Sequence, residues 1–169
     1  VIDVSPVNLA KLVKEEIDSL QVQVKAHGMK LEVNLPDIKT FPIYMLDDTK
    51  IRQVVINFID NAIYYSKPDS KIKVFLELDK ITGDILFYVK DNGIGIPKEA
   101  KEHLFEKFYR ADNARKQRPD GTGVGIFLAK KVIDSSNGEI MFTSEEGKGS
   151  TFGFKFKKQN LIPFEPNQK

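Results

Sequence analysis

Four short segments rich in asparagine or glycine follow one another along this chain, and they constrain its fold more than any other feature. In order, they are Asn57-x-x-x-Asn61, Asp91-Asn92-Gly93-Ile94-Gly95, Gly121-Thr122-Gly123-Val124-Gly125 and Gly147-Lys148-Gly149-Ser150-Thr151. A Phe-rich stretch at residues 104–108 lies between the second and the third. A single glycine pair often means only a turn. Four such segments in order indicate a site assembled from distant parts of the chain.

The composition is that of one globular domain and excludes several classes of function. Of 169 residues, 41% are hydrophobic and 30% charged, and the formal net charge of +2 is too small to indicate nucleic-acid binding. No apolar run approaches the ~18 residues of a membrane span, so we expect no direct membrane contact. Without cysteine there is no disulfide, thiolate metal site or cysteine nucleophile. The first residue is not Met, and we expect the chain to begin within a longer protein.

Hydrophobic periodicity predicts the order of helices and strands. Helices are predicted over residues 7–27, with a start at Ser5-Pro6, and over residues 48–65 and 122–135. Strands are predicted over residues 29–35, 43–46, 71–78, 85–89, 139–144 and 151–156. Residues 91–121 are predicted to be a long functional loop with one short helix near residues 99–108, and the end of the chain after Lys157 a frayed tail. Because strands and helices do not alternate regularly, we expect an α+β fold, a two-layer α/β sandwich.

Two asparagines are placed to bind a cation. Asn57 and Asn61 lie one turn apart along the edge of the apolar face of the predicted helix 48–65. Their amide oxygens suit Mg²⁺, which prefers oxygen ligands and keeps several waters. Alternatively, these side chains only cap a loop or bond to a neighbouring strand.

Asp91 directly follows the predicted strand 85–89, where a carboxylate can be held rigidly. Gly93 and Gly95 allow the backbone to approach a ligand closely. The alternative is an ordinary Asp-Asn-Gly turn.

The third segment combines glycines with the start of a predicted helix. Gly121, Gly123 and Gly125 leave backbone N–H groups unblocked at that helix N-terminus, which can bind phosphate. The pattern is neither a Walker loop nor a dinucleotide fingerprint. A flexible hinge is the alternative, and both roles can hold together.

Together, the segments resemble the ATP-binding catalytic domain of bacterial sensor histidine kinases, within the wider family of gyrase, Hsp90-type chaperone and mismatch-repair ATPases. The resemblance covers roughly residues 7–157. It implies a catalytic domain over residues 1–157 with an ATP lid at about residues 92–121, and a C-terminal tail over residues 158–169. It also implies a Bergerat-type fold, in which helices cover one face of a mixed sheet.

The resemblance assigns roles to individual residues. Asn61 is the principal Mg²⁺ ligand and Asn57 a supporting one, while Asp91 accepts a hydrogen bond from the adenine amino group and Arg110 approaches the phosphates. The other implied ATP-binding residues are Tyr65, Gly93, Gly95, Gly121, Thr122, Gly123, Val124, Gly125 and Thr151, the last of which orients the adenine-binding aspartate.

The Phe-rich stretch has two readings. By resemblance, Phe105 and Phe108 anchor the lid on the domain. Alternatively, they are ordinary core residues of a short helix.

Two positions on the predicted helix 48–65 bear on the reaction. Relatives that hydrolyse ATP have a glutamate at the position of Asn57, as the general base for water. An amide is not basic near neutral pH, so Asn57 favours phosphoryl transfer to histidine over rapid hydrolysis. Tyr64 departs from the family pattern, which usually has a basic residue there. We expect weaker phosphate binding unless Lys67 or a lid arginine compensates. Besides Arg110, the basic candidates of the lid are Lys107, Arg115, Lys116 and Arg118.

The phosphoacceptor is expected outside this chain. Neither His27 nor His103 is followed by the acidic, basic and proline pattern of the family's acceptor histidine. The implied partners are therefore a separate dimerisation and phosphoacceptor domain and a downstream response regulator, with the fragment in the cytoplasm as part of a membrane-bound sensor. The alternatives are a serine kinase of the anti-sigma-factor type and a non-catalytic ATP-binding interaction module.

Overall fold

The computed structural model describes residues 1–118, 121 and 123–166. The elements in chain order are β1 (Ser5–Val7), α1 (Leu9–Ala26), β2 (Lys30–Asn34), β3 (Tyr44–Leu46), α2 (Asp48–Tyr65), β4 (Lys71–Leu78), β5 (Ile85–Lys90), a 3₁₀ helix (Lys98–His103), α3 (Asp112–Gln117), α4 (Gly125–Ser135), β6 (Glu139–Glu145), β7 (Gly149–Phe156) and a second 3₁₀ helix (Lys158–Asn160). The predicted Thr122 falls outside the described residues.

Five strands form one mixed sheet in the order β2-β4-β5-β7-β6. Only β2 and β4 are parallel, and the other neighbours are antiparallel. Helix α2 packs against β4, β5 and β7, and both α1 and α4 pack against α2. The predicted two-layer sandwich with helices on one face of a mixed sheet is therefore confirmed.

The sequence of helix α2 accounts for both the residue at which it begins and the face that it turns to the core. The buried side chain of Asp47 caps it by accepting a hydrogen bond from the backbone N–H of Lys50 at 3.2 Å. One face is buried against the sheet and the neighbouring helices; its residues are Ile51, Val54, Val55, Phe58, Ile59, Ala62 and Ile63. Because burial of each large apolar side chain contributes about 1.5–3 kcal/mol, this face fixes the rotation of the helix. Its polar edge is thereby turned away from the core.

The start of α1 differs from the prediction. Residues 5–7 pair with β3 as a separate two-stranded sheet, so Ser5-Pro6 does not start the helix. The side chain of Asn8 caps it instead, by accepting a hydrogen bond from Lys11 N at 3.1 Å. Pro6 is tolerated in β1 because β1 is an edge strand.

The end of the chain is not frayed as far as residue 164. Met45 donates its N–H to the carbonyl of Ile162 at 2.8 Å, and Phe164 donates to the carbonyl of Ile43 at 3.0 Å. Leu161 is buried in the core. The prediction was wrong because this segment is held by residues more than a hundred positions away, which no local pattern reveals.

The long loop contains two short helices rather than one. The 3₁₀ helix ends at His103, before the Phe-rich stretch, and α3 begins at Asp112. None of the residues of α3 is buried, so the helix has no apolar periodicity by which to predict it.

Candidate functional site

A cavity of about 460 Å³ lies between α2, the start of α4 and the segment after β5. Its volume lies in the range of small-molecule sites. It brings together most of the predicted site residues, namely Asn57, Asn61, Tyr65, Asp91, Gly95, Arg110, Gly121, Gly123, Val124 and Gly125. Three segments far apart in sequence therefore line one cavity.

The polar edge of α2 forms one wall. Asn57 donates from Nδ2 to the carbonyl of Gly125 at 3.4 Å and accepts from Gln53 Nε2 at 3.3 Å, so it links α2 to the start of α4. The side chain of Asn61 makes no hydrogen bond to any residue in the described part of the chain. Its amide oxygen is therefore available to a ligand or a cation in the cavity.

Asp91 is a nearly buried carboxylate at the end of β5, with 6% of its surface exposed. Its Oδ1 accepts hydrogen bonds from the backbone N–H groups of Gly93 at 2.9 Å and Ser150 at 3.1 Å. Oδ2 accepts no hydrogen bond from any residue within the described ranges, so it can accept one from a ligand. Burial raises the pKa of Asp91 to about 6, against the lowering effect of the two backbone hydrogen bonds.

The raised pKa of Asp91 makes the free energy of unfolding depend on pH. Because the folded-state pKa lies above the ordinary 3.8, the folded chain binds this proton more tightly than the unfolded chain. The stabilisation that the protonated Asp91 carboxyl contributes is fully present below pH about 4 and is lost as pH rises through about 6. We expect Asp91→Asn to be more stable than wild type at pH 7, by about 1–3 kcal/mol, and to lose that advantage near pH 4. Urea unfolding of both proteins from pH 4 to 7 measures the difference, and a difference independent of pH would contradict this expectation.

Gly93 contacts the protein rather than the cavity. A side-chain Cβ at this position would lie 2.1 Å from the carbonyl oxygen of Tyr65. Since the N–H of Ile94 also donates to that oxygen at 3.1 Å, the loop after Asp91 packs directly on the end of α2. Gly93 thus lets this loop and α2 approach each other.

The start of α4 differs by three residues from the prediction. Gly123 has a φ of +74°, which interrupts the helix, so α4 begins at Gly125. No side chain of the described residues caps this end. The first backbone N–H groups of α4 therefore remain available beside the cavity.

Arg110 lies in the cavity wall but is already engaged by oxygen atoms of the protein. Nη1 donates to the carbonyl of Gly121 at 3.0 Å, and Nη2 to Tyr65 Oη at 3.1 Å. Nη2 also donates to the carbonyls of Ala114 and Arg118. Arg110 thus ties the segment after β5 to α2.

The two phenylalanines of the lid, Phe105 and Phe108, differ in burial. Phe105 is partly buried and packs edge-to-face on Phe142 of β6, with ring centroids 6.3 Å apart. Phe108 is 63% exposed, so the prediction that it anchors the lid was wrong. Its φ of +67° turns its side chain outward while its N–H donates to the carbonyl of Gly123 at 3.1 Å.

Thr151, which the resemblance implies as the residue that orients Asp91, is not among the residues that line the cavity. It pairs with Lys90 on the neighbouring strand, and successive side chains of a strand alternate between the two faces of the sheet. Its neighbour Ser150 contacts Asp91 instead: its N–H bonds the carboxylate and its carbonyl accepts the N–H of Asp91 at 2.9 Å. Because these are backbone contacts, no side-chain pattern could have identified Ser150.

The sequence reasoning also missed Asp60, and it gave Arg118 only as one of several basic candidates. Both line the cavity, and their side chains form an ion pair of 3.2 Å. The guanidinium carbon of Arg118 lies 3.9 Å from the ring centroid of Tyr64. The other lid candidates, Lys107, Arg115 and Lys116, are exposed and do not line the cavity. Lys67 donates to the carbonyl of Gly147 at 3.1 Å.

None of the helices in the described ranges combines the length and the apolar character needed to cross a bilayer.

Comparison with known proteins gives a consistent result. A sequence model of the family described as "Histidine kinase-, DNA gyrase B-, and HSP90-like ATPase" matches residues 46–160. The circadian input-output histidine kinase CikA of Synechococcus elongatus is 31% identical over 98% of this chain and 22% of the relative. The sensor histidine kinase WalK of Bacillus subtilis is 36% identical over 82% of this chain and 22% of the relative. The chain thus spans less than a quarter of the length of these relatives.

Solved structures share the fold. The catalytic domain of the histidine kinase ThkA, in a nucleotide-free form, matches with a TM-score of 0.76 and 27% identity over 92% of this chain and 96% of that one. Full-length ShkA in complex with AMPPNP matches with a TM-score of 0.77 over 97% of this chain and 32% of that one. At 19% identity, ShkA supports the fold alone.

Proposed function

Since the chain belongs to the family of histidine kinase-, DNA gyrase B- and HSP90-like ATPases, we propose that it binds Mg²⁺ and ATP and donates the γ-phosphoryl group to a histidine on a separate domain. The family expected from the four segments is confirmed by this membership. One observation carries the proposal: the buried carboxylate of Asp91 and the amide of Asn61 face one cavity beside an uncapped helix N-terminus.

Adenine binds at the Asp91 end of the cavity. The free Oδ2 accepts a hydrogen bond from the exocyclic amino group of adenine, while Oδ1 stays bonded to the backbone. Gly95 and the ring of Tyr65 line the space beside it. Guanine presents a carbonyl oxygen at the same place, which a carboxylate repels, so the site selects adenine.

The phosphates bind at the other end. The N–H groups at the start of α4 and those of Gly123 and Val124 are suited to phosphate oxygens. Asn61 is the principal Mg²⁺ ligand and Asn57 a supporting one, because amide oxygens match the preference of this ion. When held by these residues, Mg²⁺ would supply positive charge beside the phosphates, and the guanidinium groups of Arg110 and Arg118 in the cavity wall would add further positive charge there.

Transfer to histidine is favoured over hydrolysis at this site. Asn57 lies in the cavity wall where it cannot take a proton from water, since an amide is not basic near neutral pH. A neutral imidazole supplies its own lone pair and needs no such base. Catalysis then depends on positioning and charge, with the acceptor histidine on the dimerisation domain of the same kinase. The phosphoryl group then passes to a downstream response regulator, and the domain lies in the cytoplasm.

Replacement of Asn61 by Ala tests the metal site. We expect Mg²⁺ to strengthen ATP binding to the wild-type domain by about tenfold or more, and Asn61→Ala to lose this dependence because the cation loses its main protein ligand. Calorimetric titration of ATP with and without Mg²⁺ measures both. Asn34→Ala on the exposed edge strand β2 is the control and keeps the dependence. An undiminished Mg²⁺ effect in Asn61→Ala would remove this residue from the metal site.

Two other functions remain candidates, a serine kinase and a non-catalytic ATP-binding module. Incubation with ATP labelled at the γ-phosphate and an acceptor domain of a sensor kinase separates them. Acid-labile label on the acceptor indicates phosphohistidine, acid-stable label on a partner protein indicates phosphoserine, and a binding module transfers nothing. A fast steady-state ATPase rate of the domain alone would contradict the role given to Asn57.

A further inference from the structure

Three short segments from distant parts of the chain form a small second sheet beside the main one. Strand β3 lies in its middle, pairs with β1 on one side and bonds to residues 162–164 on the other. Successive residues of a strand point to opposite faces of a sheet. Val7, Tyr44 and Leu46 are buried on the inner face, so the residues that alternate with them lie on the outer face.

The outer face of the small sheet is an apolar patch. Its six residues, none of them charged, are Val4, Pro6, Ile43, Met45, Ile162 and Phe164. Pro6 lies opposite Met45, and Val4 directly precedes β1. The four large side chains of Val4, Ile43, Ile162 and Phe164 are 37–63% exposed. Single exposed apolar side chains are common, whereas a group of neighbouring ones marks an interaction surface.

The two outer strands of the small sheet each contain a proline. These are Pro6 in β1 and Pro163 in the segment 162–164. Because proline lacks the N–H group that a further strand would need, it keeps an edge strand from pairing with another chain. A partner is therefore expected to dock on the face of this sheet and not to extend it at an edge.

The charges around the patch disfavour an anionic partner. The patch offers no cation to an acidic peptide, a nucleic acid or an anionic lipid. At the end of β3, Asp3 and Asp48 line a shallow depression, where Lys50 already pairs with the buried Asp47 at 3.8 Å. Negative charge at this end repels other anions. An uncharged apolar face of similar size fits the patch, and a second copy of the patch has both properties.

We propose that the patch is an interface between two copies of this chain, related by a two-fold axis along the row Pro6, Met45 and Ile162. This axis stacks the two patches with their strands antiparallel, so the acidic ends of the two copies lie apart. A patch of this kind buries on the order of 400 Å² per copy, about half of a standard interface. We therefore expect a weak dimer, with a Kd of about 10⁻⁴ M.

Such a weak contact becomes effective when the two copies are tethered. The proposed function places two catalytic domains on one dimerisation domain, where their effective concentration is about millimolar. The patches would then be paired most of the time, and the two catalytic domains would stay together between encounters with the acceptor histidines. This consequence rests on the proposed function, whereas the pairing itself does not.

Sedimentation equilibrium of the wild-type chain, from about 10 µM to about 1 mM, measures the pairing. We expect a monomer–dimer equilibrium that Ile162→Asp weakens tenfold or more, because it places a charge in the apolar contact. Ile81→Asp is the matched control and keeps the equilibrium, since Ile81 is almost fully exposed between β4 and β5. Ile162→Asp is expected to unfold at the same urea concentration as wild type, since the side chain of Ile162 is mostly exposed.

Disulfide trapping tests the two-fold axis. The chain has no cysteine, so Ile162→Cys introduces a single thiol. Because a residue on the axis lies opposite its own copy, we expect this variant to form a disulfide-linked dimer about tenfold faster than Ile81→Cys, or more. Equal rates in the two variants would contradict this arrangement of the copies.

A wild-type chain that stays monomeric at about 1 mM would overturn the proposal. A dimer that Ile162→Asp leaves unchanged, or one that dissociates between about 0.1 and 0.5 M NaCl, would do the same, since salt does not weaken an apolar contact. Binding of a monomeric chain to phosphatidylserine vesicles would assign the patch to a lipid surface instead.

Failure of the proposed function is distinguishable from failure of the pairing. None of the patch residues lines the cavity, so Ile162→Asp is expected to bind ATP as wild type does. A chain that forms the dimer but binds no ATP would contradict the proposed function alone.

Discussion

Replacement of Asp91 by Asn is expected to weaken ATP binding by about a hundredfold. Oδ1 must keep accepting hydrogen bonds from the backbone of Gly93 and Ser150, which fixes the amide so that its NH₂ group takes the place of Oδ2. A donor would then face the amino group of adenine, which is also a donor. The loss therefore combines a missing charged hydrogen bond with two donors left unsatisfied in a buried site.

Calorimetric titration of ATP into the wild-type and variant domains measures this effect. Asp18→Asn is the control, since Asp18 is an exposed residue of α1 paired with Lys14. GTP is expected to bind wild type far more weakly than ATP does. Because Asp91→Asn is also expected to be the more stable protein at pH 7, lost binding could not be attributed to unfolding. Binding within threefold of wild type would contradict the role of this carboxylate.

Replacement of Gly149 by Ala is expected to lower the free energy of unfolding by about 3 kcal/mol or more and to abolish ATP binding. A Cβ at this position would lie 2.1 Å from the backbone oxygen of Asp91, and the φ of +120° is strained for any residue with a side chain. Neither backbone can move without breaking the pairing that positions Asp91 against Ser150. Both stability and the adenine end of the site therefore depend on this glycine.

Gly147→Ala is the matched control in the same hairpin. Gly147 also has a positive φ, of +82°, but a Cβ there would meet nothing within 4 Å. Only the conformational cost remains, about 1 kcal/mol, and ATP binding is expected to persist. Urea unfolding and ATP titration of both variants measure the contrast. Similar losses in the two would mean that strain rather than close approach determines the effect at Gly149.

Local sequence patterns determined the helices and strands that carry the site. The apolar periodicity of residues 48–65 predicted both helix α2 and its rotation, and hence the shared edge of Asn57 and Asn61. Alternation in residues 71–78 and 85–89 predicted the hairpin that ends at Asp91. These predictions succeed because burial of an apolar face depends on spacing within one element, which the sequence states directly.

Contacts between distant segments were decided only by the tertiary structure. The return of residues 158–164 to β3, the backbone contacts of Ser150 with Asp91, and the position of Arg118 over Tyr64 each join residues more than fifty positions apart. None of these leaves a local pattern, because backbone hydrogen bonds do not depend on side-chain type and a lone charged residue in a loop is usually solvated. The sequence thus determined which segments form the site, and the packing of those segments decided which side chains meet in it.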